Sequence, residues 1–577
     1  MYNIISLLED LKKKEEITLQ ELEFAHYLLQ IGEESDLVIG AGIAVMHYHL
    51  NGHICASISD IHGFLSSKKL VTVSASELVT ALKESPLVGN GSSLTPFVFE
   101  NELLYLHKYW KYELELSNWL NEKAKVTHQI QESDLAEIDG LFKDSGENDW
   151  QKVAVQLSHC KDLVIITGSP GTGKTYTVKK IIESHLKKDS SLRIALAAPT
   201  GKAAQRLNEV FSEEFPDEIE PAKTIHSLLE AKGVSGEFRF NEDRTLPYDF
   251  LIIDEASMMD IYLWISLIRA TSIHTKLILL GDKNQLASVE AGSILGDICS
   301  GSTNSFSEQI SSVISVDFEG GDSASGINDS IVELVTSRRF GKSSGIGILS
   351  EAIIKGNDES VIRMLQSKEF PDIQFKEASN QSISELLEKY VLNPFREMKK
   401  NGFSHEGYKE YQILCALRKG PYGVEELNRR SELAIRDYLG ISTRKFWYDG
   451  RPIILTRNQW VLNLRNGETG FAMPDNSENG FVLNFESRES KPVTSRLSDF
   501  ESSFAITVHK SQGSEYDHVA IILSNTPNRV LSRQLLYTAV TRARKSVLVI
   551  GNTPVISSAV QHSVVRRSGL REKIRNK

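Results

Sequence analysis

Several features are scarce or missing in this 577-residue chain. Its four cysteines, Cys55, Cys160, Cys299 and Cys415, lie far apart, with no CxxC or Cys/His ligand spacing. That argues against a disulfide framework or a spaced zinc site and suits reduced core thiols in a cytoplasmic protein. No apolar run approaches the roughly 20 residues a membrane-spanning helix needs. The opening "MYNIISLLEDLKKKEEITLQ" has no basic stretch followed by an apolar one, so no signal peptide is expected. No internal repeat is visible. Arginine is absent from residues 1–150, which hold 24 Asp/Glu against 11 Lys, a net charge of −13. Such a front is a poor grip for phosphates. It reads either as a docking module for another protein or as a merely soluble acidic domain.

The total charge is −11, so the rest of the chain sums to +2, and residues 501–577 alone carry 12 basic and 4 acidic residues. The length implies three or four domains. Apolar content of 41% and charged content of 24% are ordinary for a globular protein. Residues 1–120 predict helices, because "ISLLEDLKKKEEITLQELEFAHYLLQIG" and "ENELLYLHKYWKYELELSNWLNEKAK" carry apolar residues at helical spacing. The acidic "DSGENDW" at 144–150 closes this region. From 152 the strand-like runs "LVIITG", "RIALAAPT", "DFLIIDEA" and "KLILLGD" alternate with helical segments. That is the signature of a parallel α/β sheet, with its ligand at the strands' carboxyl ends. The Ser/Gly/Asp-rich stretch 303–330 reads as a mobile loop. A second β/α region begins near 331, and between its halves, at 441–500, short strands with turn signals predict a small inserted β-barrel.

Chemistry is concentrated in "GSPGTGKT", which fits GxxxxGK(S/T) between a strand and a helix. In the loop Gly168, Ser169, Pro170, Gly171, Thr172 and Gly173, the glycines let backbone N–H groups curl around phosphates. Lys174 adds charge and Thr175 offers a hydroxyl to Mg²⁺. The buried run "LIIDEASMMD" delivers two carboxylates to a strand end. Asp254 is expected to hold Mg²⁺, and Glu255 to orient or polarise the attacking water. Gln285, after the strand "LILLGD", is placed to contact the γ-phosphate, and Gln151, before the first strand, to hydrogen-bond adenine.

Together "GSPGTGKT", "APTGKAAQRL", "TIHSLL", "IIDEASMMD", "GDKNQLASVEAG", "SRRFGKSSGIG", "TVHKSQGSEYDHVAIIL" and "YTAVTRARK" stand in the order of a superfamily-one DNA helicase. "GDKNQLASVEAGSILGDIC", "LCALRKGPYGVEELN", "WYDGRP" and "VHKSQGSEYDH" make the chain resemble, more closely, the alpha-subunit family of exodeoxyribonuclease V, the RecBCD-type helicase–nuclease. The resemblance covers roughly 150–577. It implies an α/β fold of two RecA-like P-loop domains with ATP between them. The domains implied are a helical N-terminal partner-docking domain at 1–125, RecA-like domain 1A at 126–330, domain 2A at 331–440 and 501–577, and an SH3-like insertion 2B at 441–500.

The same resemblance implies Arg542 as an arginine finger, with Arg339 as its companion, although "SRRF" places Arg338 where the family has an aromatic. It puts Gly513 and Glu515 at the nucleotide, with Glu515 near the ribose. It assigns single-stranded DNA contacts to Thr200, Gly201, Thr224, His226, Thr507, His509 and Lys510. It implies 5′→3′ movement on strands from double-strand ends, recombinational repair as the setting, and a heterotrimer with RecB-like and RecC-like chains. Nuclease activity is expected in a partner chain. Two other classes compete: a nucleotide-dependent assembly switch that does not translocate, against which intact Glu255, Gln285 and Arg542 argue, and a nuclease in its own right, against which the lack of an acidic cluster beyond Asp254 and Glu255 argues.

Overall fold

The structure, a computed structural model, describes residues 4–142, 149–212, 214–215, 219–233, 236–288, 290–301, 304–314, 326–341, 343–475, 480–486 and 491–575. Two parallel sheets organise the molecule. The first has six strands in the spatial order Ile331–Leu334, Leu163–Gly168, Lys276–Gly281, Phe250–Ile253, Ile194–Ala198 and Lys223–Thr224. The second has five, in the order Ile373–Glu377, Ala543–Gly551, Tyr516–Ile522, Tyr411–Cys415 and Ala505–Thr507.

Helices cover both faces of each sheet, so the central strands read as unbroken apolar runs rather than alternating ones. Leu163–Gly168 is buried at every position. Its neighbour Lys276–Gly281 pairs with it from Leu277↔Leu163 to Gly281↔Thr167. That register brings the P-loop and Asp282 to one edge, and Phe250–Ile253 adds Asp254 beside them. The three loops that carry the chemistry are therefore neighbours because their strands are.

The N-terminal region is mostly helical but contains a four-stranded sheet, in the order Cys55–Ser57, Leu103–Leu106, Phe97–Glu100 and Val88–Gly89. This corrects the all-helical expectation. Asn101 and Glu102 both take left-handed backbone, φ +50° and +60°. Two such residues make the tight turn that matches strand twist, so "FVFENELLYL" folds as a hairpin although its apolar spacing suits a helix.

Three implied boundaries also move. Strand Ile331–Leu334 pairs with Leu163–Gly168 and belongs to the first sheet, not to domain 2A, because its apolar residues complete that sheet's edge. The insertion extends past 500, since Phe500–Ser502 pairs with Pro452–Leu455. His562, Ser563 and Val564 still bond to Arg533 and Gln534 of the second domain, and the residues after them leave it. They run back to the N-terminal region, where Ile54 N–H donates to the Arg567 carbonyl at 2.9 Å and Leu570 and Ile574 enter the core beneath the first sheet. Where the sequence predicts a mobile loop over 303–330, Ser307 is tied to Asp329 at 2.7 and 2.8 Å, and residues 315–325 lie outside the described residues.

The insertion is a four-stranded antiparallel sheet, Phe481–Phe485, Thr469–Pro474, Pro452–Leu455 and Phe500–Ser502, around a small core that includes Ile453, Leu455, Leu464 and Phe485. Among the described residues its outer strands do not pair with each other, so the strand order does not close into the expected barrel.

Candidate active site and nucleic-acid interface

The P-loop turns from the buried strand into the helix Lys174–Lys188 through two left-handed glycines, Gly171 (φ +83°) and Gly173 (φ +90°). Both are also sterically required. A Cβ on Gly171 would lie 2.4 Å from the Cβ of Arg339, and one on Gly173 would lie 2.1 Å from the Gln151 amide nitrogen. Thr172 Oγ1 donates to the Ser169 carbonyl at 2.8 Å, and Pro170 is buried beneath the loop. The Lys174 ammonium donates to the carbonyls of Gly168 (2.6 Å) and Ser169 (3.4 Å). Thr175 follows, half-buried in the first turn of the helix.

Gln151 stands behind this loop. It is 4% exposed, its amide nitrogen donates to the Thr172 carbonyl at 3.0 Å, and its buried amide oxygen has no partner among the described residues. Asp254 follows the last residue of its strand, its N–H bound to the Ala197 carbonyl at 2.9 Å. Glu255 takes a left-handed backbone (φ +53°), and its N–H donates to Asp254 Oδ1 at 2.8 Å. Burial and the neighbouring Glu255 charge push the Asp254 carboxyl up to about 6.

The second domain closes over this edge through the helix Arg533–Val540 and the turn after it. Arg542 is 2% exposed, and its guanidinium donates to the Gln285 amide oxygen at 2.7 Å, to the Thr538 carbonyl and to the Ser514 carbonyl, the last two at 3.2 Å. Gln285 in turn donates to Asp282 at 3.1 Å. The Tyr537 hydroxyl, fully buried, bridges Asp282 Oδ2 (2.7 Å) and Ser169 Oγ (2.9 Å). Burial raises Asp282 above the usual carboxylate range.

Arg339 and Arg338 part ways. The backbone N–H groups of both lie on the Gly171 carbonyl, at 3.3 and 2.8 Å, but the Arg339 side chain enters the cleft while Arg338 is exposed over the Tyr176 ring. Arg339 pairs with Glu515 at 2.6 Å and leaves its Nη1 buried with no partner among the described residues. Glu515 also takes Arg206 at 2.9 Å. Burial opposes its ionisation, yet the two guanidiniums hold its carboxyl down at about 2. Gly513 packs against Ala203 on the first domain, where a Cβ would come within 3.3 Å.

The residues expected to touch DNA lie on both domains, and of them Gly201 and Thr224 line one groove. Thr200 caps the helix Gly201–Phe211, and Thr224 caps the short helix Ile225–Leu228. His226 is exposed, its ring 5.8 Å from Phe238. In the second domain Thr507 ends a strand and accepts the Lys510 N–H at 3.3 Å, while the Lys510 ammonium is paired with Glu501. Burial lowers His509. Arg544 and Lys545 both pair with Asp517, at 2.8 and 2.7 Å.

Sequence reasoning passed over Asp282, Tyr537 and Arg206, although each lies inside a quoted motif. The signal was their position, one polar residue directly after a buried strand in "LLGD" and one aromatic opening "YTAVTRARK". Arg465 of the insertion, which reaches the Thr224 cap, carried no signal at all.

Comparison with known proteins places these segments. The AAA domain family matches residues 151–291, the UvrD-like helicase C-terminal domain matches 502–550, and the RecBCD enzyme subunit RecD, N-terminal domain, matches 13–105. The chain is 34% identical to the RecBCD enzyme subunit RecD of Haemophilus influenzae, over 83% of this chain and 81% of that one. It is 32% identical to the RecBCD enzyme subunit RecD of Mycolicibacterium smegmatis, over 96% and 97%. The ATP-dependent RecD2 DNA helicase of Deinococcus radiodurans is 28% identical over 72% of this chain and 50% of its own length.

Proposed function

The chain belongs to the RecD family of RecBCD enzyme subunits, and from that membership we propose that it is an ATP-dependent DNA helicase, the motor alpha subunit of a RecBCD-type complex. The observation that carries the reading is a cleft whose two walls come from different domains. The P-loop, Asp254 and Gln285 line one wall, and Arg542 reaches Gln285 from the other at 2.7 Å.

The residues fit a nucleoside triphosphate and a divalent cation. Lys174 is held by neutral loop carbonyls, and both the Arg339 Nη1 and the Gln151 amide oxygen are buried and unpartnered among the described residues. In this reading the loop N–H groups and Lys174 bind the phosphates, Thr175 and Asp254 hold Mg²⁺, and the Gln151 amide oxygen accepts from adenine. The cation neutralises phosphate charge when bound. Glu255 polarises the attacking water. Arg542, Arg339 and Gln285 stabilise charge on the transferred phosphoryl group, a role worth about 10³–10⁵ in rate for an arginine finger. Glu515 acts here as the counter-charge that aims Arg339 and Arg206 rather than as a ribose ligand, because both its near partners are guanidiniums.

Thr200, Gly201, Thr224, His226, Thr507, His509 and Lys510 hold the strand. Contacts of this kind read no sequence and weaken with salt. Movement is 5′→3′, the acidic N-terminal region docks a RecC-like chain, and DNA cleavage belongs to the RecB-like partner. The test is ATP hydrolysis by the full chain with and without single-stranded DNA, beside Lys174→Gln. Stimulation by DNA, abolished in the variant, is expected. Hydrolysis that survives the substitution overturns the site.

A further inference from the structure

Arg465 projects from the insertion into the first domain. Its turn is closely built. Gln459 and Leu464 exchange backbone hydrogen bonds at 2.8 and 3.1 Å, Gly467 takes φ +86°, and the Arg465 N–H donates to Glu468 Oε1 at 3.2 Å. The guanidinium is thereby presented to two hydroxyls, Ser227 Oγ at 2.8 Å and Thr224 Oγ1 at 3.2 Å. The side-chain stem lies over the start of the helix Gly201–Phe211, with Cδ 3.5 Å from where a Gly201 Cβ would stand.

Its partners set Arg465 apart. Arg451, nearby in the chain, is bound by the Glu432 carboxylate at 2.8 Å, and Arg436 by three backbone carbonyls. Among the described residues the Arg465 guanidinium holds only the two neutral hydroxyls. A guanidinium is always charged, and its strongest partners are carboxylate and phosphate. Of the acids around the groove, Glu486 pairs with Lys409, Glu209 accepts from Gln205 and Glu468 accepts the Arg465 backbone N–H. The groove encloses about 440 Å³ and is open along its length past Asn208 and Lys223.

We propose that Arg465 is a phosphate ligand for the single strand, contributed by the insertion to the same backbone phosphate that Gly201 and Thr224 hold from the first domain. This rests on the helicase reading above and deepens it. A strand phosphate replaces the two hydroxyls on the guanidinium and pins the insertion to the first domain with the strand between them. Binding of DNA and seating of the insertion then become one event.

The test measures binding of a fluorescent oligothymidylate to the full chain, wild type beside Arg465→Ala and Arg465→Lys, across a salt series. Arg465→Ala is expected to weaken binding roughly tenfold. It is also expected to make the plot of log K against log salt shallower by about 0.7, the value for one phosphate contact on a single strand. Arg465→Lys, which keeps the charge, retains the wild-type slope. A wild-type slope and affinity in Arg465→Ala overturn the proposal, as does tighter binding, which marks the arginine as a plug. Wild-type protein that binds no oligothymidylate overturns the helicase reading itself.

Discussion

Arg542 and Gln285, 257 positions apart in the chain, meet across the cleft at 2.7 Å with both side chains buried. Tyr537 makes a second crossing to Asp282 and Ser169, and Thr538 Oγ1 a third, accepting the Leu286 N–H at 3.0 Å. One helix and the turn after it therefore read three points of the first domain's phosphate-facing edge. Any group that enters between Gln285 and Arg542 is reported directly to the second domain.

Arg542→Ala is expected to lower DNA-stimulated ATP hydrolysis by about 10³–10⁵, with nucleotide affinity changed only a few-fold. Adding Gln285→Ala to it costs little more, because residues acting as one unit are not additive. Steady-state hydrolysis and nucleotide binding on the two single variants and the double decide this. A loss below tenfold in Arg542→Ala removes it from the finger role.

The P-loop, its strand and the strands Phe250–Ile253 and Lys276–Gly281 were legible because each is a short contiguous run whose chemistry and burial are local. Asp254 and Lys174 follow from eight or ten adjacent letters. What was hidden depends on distance in the chain. Nothing near "SVVRRSGLREKIR" says that it crosses to Glu113, and nothing near "NLRNGE" says that it meets Thr224. Of the two adjacent arginines, Arg339 turns its side chain to Glu515 while Arg338 stays exposed, a difference no local signal in "SRRF" carries. The N-terminal hairpin was missed because Asn-Glu is a weak turn signal, so the helical spacing around it dominated.

Asp297 gives a pH-dependent expectation. Burial pushes its carboxyl up to about 7, with Glu113 and Glu572 adding to the effect, although the Ser568 hydroxyl donates to it at 2.7 Å. A carboxyl raised in the folded state binds its proton there at pH values where the unfolded chain has lost it. Its stabilising contribution is therefore full below about pH 4 and is lost as pH rises to about 7. Asp297→Asn keeps an acceptor for Ser568 and removes the titration. Stability at pH 8 is expected to rise by on the order of 2–4 kcal/mol, and the pH 5–8 slope to flatten. Denaturant unfolding at pH 5 and pH 8 measures both. Equal slopes in wild type and variant contradict the assignment.

The returning C-terminal segment makes its strongest claim at Lys573. Glu113 is 0% exposed, and its carboxylate has three donors, the Lys573 ammonium at 2.8 Å, the Gly569 N–H at 3.0 Å and the Tyr105 hydroxyl at 3.1 Å. Lys573 also pairs with Glu100 at 2.8 Å, and its carbonyl accepts from Asn121. Burial raises the Glu113 carboxyl even against the lysine beside it. Removing the lysine alone leaves a buried carboxylate uncompensated, which costs about 3–5 kcal/mol. Lys573→Met should destabilise by that amount, whereas Lys573→Met with Glu113→Gln should recover most of it, since the second change removes the orphaned charge. Arg567 ties the same segment to Asp60 at 3.0 Å, so its loosening should also expose the 53–60 stretch to protease. Urea unfolding of the three proteins, with limited proteolysis beside it, tests the pair. A double variant no more stable than Lys573→Met would show that the lysine acts through packing and its other partners, and not through Glu113.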